Sequence, residues 1–260
     1  MKVYLLSYTH EPEKVVAAAA KLCYSDSEVK DLMEGLTEEK THNFIDMLLN
    51  QLGHESPVEH ASFTFAIEGV SRSLLAQITR HRHASYSVQS QRYVKLNDFR
   101  YVVPPEIERN KQALAVFEES MQRDKEDYNR IVKILEEDYI KEYIAEGLEE
   151  KAARTRAEKR AIEDARFVFP NACETKMVVT MNARALFNFF RQRCCMRAQW
   201  EIHQLADEML RLVYEIAPAI FGNCGPPCIS GTCHEGRMSC GKSAEVKEHY
   251  RCLKEGKISG

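Results

Sequence analysis

No apolar run in this 260-residue chain approaches the roughly 18 residues needed to span a bilayer. The short apolar stretch within residues 1–10 runs straight into Glu11-Pro12-Glu13 and is too brief for the core of a signal peptide. A cytoplasmic protein with no membrane partner is therefore expected. The chain also lacks a charge bias: 36 Lys and Arg against 39 Asp and Glu leave a net charge of −3. That excludes binding to nucleic acid by bulk electrostatics. The nine cysteines include no paired C-x-x-C, and the chain contains neither H-E-x-x-H nor the G-x-S-x-G nucleophile elbow. No internal repeat is visible. In a reducing compartment the cysteines read as reduced or metal-bound rather than as disulfides. What remains, at 44% hydrophobic and 29% charged residues, is one large globular domain, or a domain with an appendage.

The pattern predicts α+β architecture. Lys2 to Thr9 reads as a strand, and Glu11-Pro12-Glu13 opens a helix running to Leu22. A polar turn or short helix at 26–35 comes next. Thr37 caps a helix carrying Phe44, Leu48 and Leu52, which Gly53 stops. Phe63, Phe65 and Ile67 alternate with small or polar residues in a second strand, followed by a helix over 71–80. Residues 94–103 look extended. Residues 106–166 read as almost purely helical, with Phe117, Met121, Tyr128, Val132 and Leu135 forming one apolar stripe between solvated charges. A strand over 176–181 leads into a long helix predicted for 182–217, buried through Leu186, Phe189, Phe190, Ile202, Leu205, Met209 and Leu212. From Gly222 the composition turns to Gly, Pro and Cys and predicts a tail with little regular structure. The domain reading is 1–221 plus a tail over 222–260.

Three stretches could carry chemistry. The first is residues 80–93, with three arginines, two histidines, three serines and no acid. Arginine forks match phosphate oxygens in bidentate fashion and serine hydroxyls add donors, so Arg80, Ser90 and Arg92 resemble a monophosphate clamp. A solvated basic loop and a Ser90–His81 nucleophile pair are the alternatives. The second is His54-Glu55-Ser56-Pro57-Val58-Glu59-His60, where Pro57 prevents the regular helix that would align two ligands for a metal. It reads as a loop offering His and Glu to a polar ligand, or as a capped turn. The third is the helix from Asn182 to Arg193. Arg184 and Asn188 share a face, and Arg193, four past Phe189, falls on a half-buried one. A buried guanidinium needs an anion or an acceptor, supplied by the protein or by a ligand. Cys194-Cys195 read as packing residues. In the tail, Cys224, Cys228, Cys233 and Cys240, with His234 beside Cys233, form a conceivable but irregular metal set; no metal is assigned.

Arg80-His81-Arg82, then seven residues, then Ser90, resembles the R-H-R-x7-S signature of flavin-dependent thymidylate synthases. His54 to His60, Gln77, Ser90-Gln91-Arg92-Tyr93, Asp164-Ala165-Arg166 before Pro170, and Asn182-Ala183-Arg184 through Arg193 follow in that family's order, across residues 1–220. The resemblance implies a homotetramer with shared active sites that binds FAD and dUMP and uses NADPH and methylenetetrahydrofolate (the folate carbon donor) as co-substrates. It implies FAD contacts from His54, Glu59, Arg80, His81, Arg82, Ser87, Val88, Asn182, Arg184 and Asn188. The implied dUMP contacts are Gln77, Arg80, Gln89, Ser90, Arg92, Arg166 and Arg193. Arg193 and Ser90 would touch the reacting nucleotide. Ser87-Val88 depart from the Asn-Glu of other members, and Arg197 stands where others often carry His and would reach adenine or diphosphate. Competing expectations are a non-catalytic nucleotide-binding protein and a zinc-containing interaction module built on the tail cysteines.

Overall fold

The computed structural model of the protein describes residues 1–26, 28–90 and 99–258. In chain order it contains β1 (Lys2–Tyr8), α1 (Pro12–Leu22), α2 (Val29–Glu34), α3 (Glu38–Asp46), β2 (Ser62–Ser71), α4 (Arg72–Ile78) and β3 (Ser85–Val88). There follow α5 (Pro105–Arg109), α6 (Lys111–Ala145), α7 (Glu150–Ala165), β4 (Glu174–Asn182), α8 (Ala183–Arg193), α9 (Trp200–Ile216), α10 (Pro218–Phe221) and α11 (Ser243–Lys254). No helix among the described residues is long and apolar enough to cross a membrane. The α+β class is as expected, with one four-stranded sheet in the order β1-β2-β4-β3 and β1 antiparallel to β2. The chain divides into two compact units, residues 1–68, 77–87 and 177–260 in the first and 69–76 and 88–176 in the second.

In the first unit, alternation decides which face of the sheet is dry. Phe63, Phe65 and Ile67 of β2 and Met177, Val179 and Met181 of β4 are all buried. Against them sit Phe189 and Phe190 of α8, Leu205 and Met209 of α9, and Phe221, whose ring meets Phe63 edge-on at 5.3 Å. On the intervening positions Thr64 and Thr180 join hydroxyls at 2.9 Å across neighbouring strands. Tyr4, Leu6, Tyr8 and Val178 remain exposed on the strands. Thr37 caps α3 as expected, its hydroxyl accepting from the Lys40 amide at 3.3 Å. The helix loosens into a π turn over Met47–Gln51, and Gly53 ends it at φ 68°, a conformation that costs glycine least.

In the second unit α6 and α7 form a helical hairpin. Asn110 caps α6 by accepting from Gln112 and Ala113. Its far end is a Schellman closure: Gly147 at φ 92° donates to Ile144, and Leu148 donates to Tyr143. Ala153, Ala157, Ala161 and Ala165, spaced four apart on α7, are all buried. They admit the larger Tyr128, Val132 and Tyr143 of α6. Met121, Tyr128 and Val132 of the predicted stripe are buried, with Phe117 and Leu135 half-buried beside them.

The reading of 106–166 as almost purely helical holds, with short breaks at Asn110 and around Gly147. Two expectations need correction. The long helix predicted for 182–217 is two helices, separated at Cys194–Gln199. No glycine or proline marks that break; it is held by tertiary contacts. The Gln199 side chain accepts from the Glu201 and Ile202 amides as the N-cap of α9, and the Cys194 carbonyl turns to Tyr250. The new phase buries Leu210 and Val213 and leaves Leu212 half-buried. The tail is also more ordered than predicted, because α11 buries Val246, Tyr250 and Leu253. Of the extended reading over 94–103, residues 94–98 lie outside the described residues, and Tyr101 bridges to Cys173.

Ala157→Leu should lower stability by about 1–3 kcal/mol, since the hairpin seam has no room for a branched side chain. The check is a denaturant titration, with a reduced midpoint and an unchanged slope.

Candidate functional site

Helix α8 is fixed at its start by two polar contacts. The Asn182 side chain accepts from the Ala185 amide at 2.9 Å, and the Ala183 amide donates to the Ala61 carbonyl at 2.8 Å. The second contact ties α8 to the 3₁₀ turn Ser56–His60, which Pro57 starts. Glu59 on that turn thereby meets the Arg184 guanidinium in a short ion pair. Glu55 lies 3.9 Å from Arg184 and 3.6 Å from Arg191. Arg184, Asn188 and Arg191 follow at i, i+4 and i+7 and line one wall of a cavity of about 620 Å³. The opposite wall is Arg80 to His83, and Arg193 also borders the cavity. Five arginines face two glutamates there, an excess of three positive charges on a chain whose total is −3. Such a concave basic surface focuses its field on anions. Its volume is that of a ligand site.

The centre of the arrangement is the pair Arg193 and His81. Arg193 Nε donates to His81 Nε2 at 3.1 Å. The acceptor nitrogen carries no proton, so the imidazole is the neutral Nδ1–H tautomer. Burial, and then the Arg193 charge, pull the His81 pKa down to about 4. Its ring edge packs on Phe189 at 5.0 Å. Burial, and then the nearby Arg80, also lower the pKa of Arg193. The loop is closed from behind by Tyr86, whose hydroxyl lies 2.7 Å from the Ile78 carbonyl and 3.0 Å from that of His81. Burial pushes the Tyr86 phenol up to about 12. A histidine that resists protonation down to about pH 4 is a poor general base, which weakens the Ser90–His81 nucleophile reading.

Of the sequence-derived site residues, Glu59, Arg80, His81, Arg82, Asn182, Arg184, Asn188 and Arg193 line this cavity together. Others lie elsewhere in the first unit. His54 is exposed and donates its amide to the Leu48 carbonyl. Gln77 reaches Gln199 at 3.5 Å, and Ser87 is exposed on β3. Val88, Gln89, Ser90 and Arg166 belong to the second unit, where the Gln89 amide donates to Lys176 and the Arg166 Nε to the Glu163 carbonyl. Arg92 lies outside the described residues. Arg197 is engaged by the tail, donating to the Met238 carbonyl at 2.7 Å beside Glu235 at 3.5 Å. The sequence reading missed Glu55, His83, Phe187, Arg191 and Gln192 as lining residues. The i, i+4, i+7 spacing of Arg184, Asn188 and Arg191 was the signal for one of them. Arg191 and Arg193 also border a second cavity of about 340 Å³, together with Cys195, Arg197, Cys228 and Cys233. Among the described residues no group of three or more His, Cys, Asp or Glu is arranged to hold a metal.

The profile of the family described as thymidylate synthase complementing protein matches residues 4–219. The chain is similar to the flavin-dependent thymidylate synthase of Clostridium tetani, with 57% identity over 250 residues, 96% of this chain and 97% of the relative. It is 48% identical to that of Nitratidesulfovibrio vulgaris over 248 residues, 93% of this chain and 94% of the relative. It is 47% identical to that of Geobacter sulfurreducens over 253 residues, 96% of this chain and 98% of the relative.

The His81 imidazole should remain neutral and Nδ1-protonated down to about pH 5 in the folded protein. Imidazole ¹⁵N resonances across a pH series check this; a ring titrating near 6.5 would refute the buried acceptor role.

Proposed function

The chain belongs to the family of thymidylate synthase complementing proteins, and on that premise we propose that it methylates dUMP reductively to dTMP with a bound flavin. The observation that carries this is the basic cavity between the Arg80–His83 loop and α8, which gathers eight of the residues that the family resemblance assigns to flavin or nucleotide. The flavin is FAD in this reading, NADPH is the reductant and methylenetetrahydrofolate the carbon donor. Residues 1–221 carry the reaction and 222–260 form a cysteine-rich extension. Similarity to enzymes over nearly the whole chain does not favour a non-catalytic nucleotide binder or a zinc module.

The donor set fits a flavin dinucleotide. Arg82 and Arg184 line the cavity and would meet a diphosphate, and Asn182, Asn188 and Gln192 would offer amides to the polar edges of such a molecule. Glu59 holds Arg184 charged and oriented. The bound flavin supplies the hydride that completes the methyl group. His54, His81, Ser87 and Val88 complete its assigned surroundings.

For the nucleotide, Arg80 contributes charge to the 5′-phosphate, and the same assignment gives Gln77, Gln89, Ser90, Arg92 and Arg166 to dUMP. Arg193 performs the chemical role. Its Nε is used by His81, so its terminal amino groups remain for the uracil edge. A guanidinium fixed beforehand stabilises negative charge on that edge, which enriches C5 for its attack on the one-carbon unit. The C5 proton then leaves and the bond from the new methylene to the folate nitrogen breaks, releasing tetrahydrofolate; the methylene left at C5 takes up a hydride whose electrons come from NADPH, leaving NADP⁺. No cysteine nucleophile enters the scheme. A homotetramer with shared active sites and a cytoplasmic location complete the reading; the exposed Tyr4, Leu6, Tyr8 and Val178 are apolar surface that association would cover.

Purified protein supplied with FAD should absorb near 370 and 450 nm and convert dUMP to dTMP only when NADPH and methylenetetrahydrofolate are both present. A colourless protein at saturating FAD would sink the reading. Ser90→Ala should keep measurable turnover, because Ser90 acts as a ligand. Arg193→Ala should lower kcat by roughly 10²–10³, as for the loss of a charge-stabilising donor, while FAD stays bound.

A further inference from the structure

Arg193 is the last residue of α8, and the residue after it has no helical partner for its carbonyl. That carbonyl, on Cys194, accepts from the Tyr250 hydroxyl of α11 at 2.8 Å, sharing that hydroxyl's single proton with the Asp207 carboxylate. Tyr250 is 2% exposed, and its hydroxyl also lies 2.5 Å from Asp207 Oδ1 on α9. The other oxygen of Asp207 meets His249 Nε2 at 2.8 Å. Asp207 itself is buried. The Cys194 side chain is fully buried against the same pair, and its thiol is pushed well up, by burial first and then by Asp207. Lys254 fastens the far end of α11, donating to the carbonyls of Gly222 at 2.6 Å and Cys224 at 2.9 Å. The consecutive helices α8 and α9 and the distant α11 thus meet at the turn that follows Arg193. All of these residues belong to the first unit.

We propose that Tyr250 is a positioning residue for Arg193: by holding the Cys194 carbonyl it fixes where α8 ends and aims the guanidinium into the cavity. The proposal rests on the assignment of Arg193 to the nucleotide and goes beyond it, because it gives the C-terminal extension a part in the reaction. Two features favour a role in aim over one in packing alone. The bond is made to the main chain of the turn, so it sets backbone direction rather than side-chain contact. In addition, Arg193 has a second fixed point at His81, 3.1 Å from Nε, so a shift of its Cα would break that bond or rotate the fork. Small misplacements of a charge-stabilising group are costly in rate.

The test compares wild-type enzyme with Tyr250→Phe, Arg193→Lys and the double variant, each loaded with FAD. Lys254→Met serves as a control that loosens α11 but leaves the Tyr250–Cys194 bond. Loss of one hydrogen bond predicts that Tyr250→Phe raises the dissociation constant of dUMP, or lowers kcat, by about three- to tenfold. The flavin content should be unchanged. The double variant should be no worse than Arg193→Lys alone, since the two substitutions remove one function. Lys254→Met should lower the melting temperature without changing dUMP binding. Should Tyr250→Phe fail to fold, Asp207→Asn, which keeps an acceptor for the phenol, is expected to move dUMP affinity in the same direction by a smaller factor. Wild-type dUMP affinity and kcat in Tyr250→Phe would overturn the proposal, as would losses that multiply with those of Arg193→Lys. If Arg193→Lys itself binds and converts dUMP like wild type, the underlying nucleotide assignment fails instead.

Discussion

A guanidinium held half out of water by a neutral imidazole is the interaction on which the site depends. Arg193 cannot lose its proton, so burial must be offset by an acceptor, and the acceptor chosen carries no charge. A carboxylate in that place would have cancelled the charge that an anionic ligand needs. His81 instead satisfies one N–H of Arg193 and leaves the positive charge intact. The neighbourhood follows from this choice. Phe189 keeps the ring dry, and Tyr86 holds the loop that carries it. Beyond burial, Arg80 adds a like charge beside it, which lowers the pKa of Arg193 further.

Much of the fold was legible because its signals were local. Alternating aromatics marked β2, Thr37 and Gly53 bracketed α3, and the four-residue spacing of apolar side chains marked α6. What escaped was set by contacts distant in sequence. Nothing in Cys194-Cys195-Met196-Arg197 breaks a helix by propensity; Gln199 caps the next helix locally, but the carbonyl freed at Cys194 is taken up by Tyr250 from far along the chain. The order in the tail was hidden for a related reason. Its cysteines and glycines suggested irregular chain, whereas α11 is held by three buried side chains and by Lys254, whose partners are carbonyls that no sequence pattern announces.

The site was legible where chemistry concentrates charge. Arg80, His81, Arg82, Arg184 and Arg193 were named from the sequence and meet in one cavity. The half-buried face assigned to Arg193 and its need for an acceptor were both right, but spacing cannot see across 112 residues to name that acceptor as His81. Arg197 shows what position in a motif leaves out. A ligand contact was expected there, and the structure adds that a carbonyl and a glutamate of the tail engage its guanidinium at the edge of the second cavity.

The way the chain is laid out has a consequence in time. The first unit is assembled from three separate stretches, and the helical hairpin of the second is threaded between them. Glu59 pairs with Arg184 and His81 with Arg193 across more than a hundred residues each, and the turn after Arg193 is completed by a hydroxyl from position 250. Domains emerge from the ribosome at about 5–20 residues per second, and contacts of long sequence separation form late. The α6–α7 hairpin, built from near neighbours, can therefore form while the basic cavity is still unmade. The cavity acquires its shape only once nearly the whole chain is out, so a nascent or truncated chain carries its arginines without their geometry.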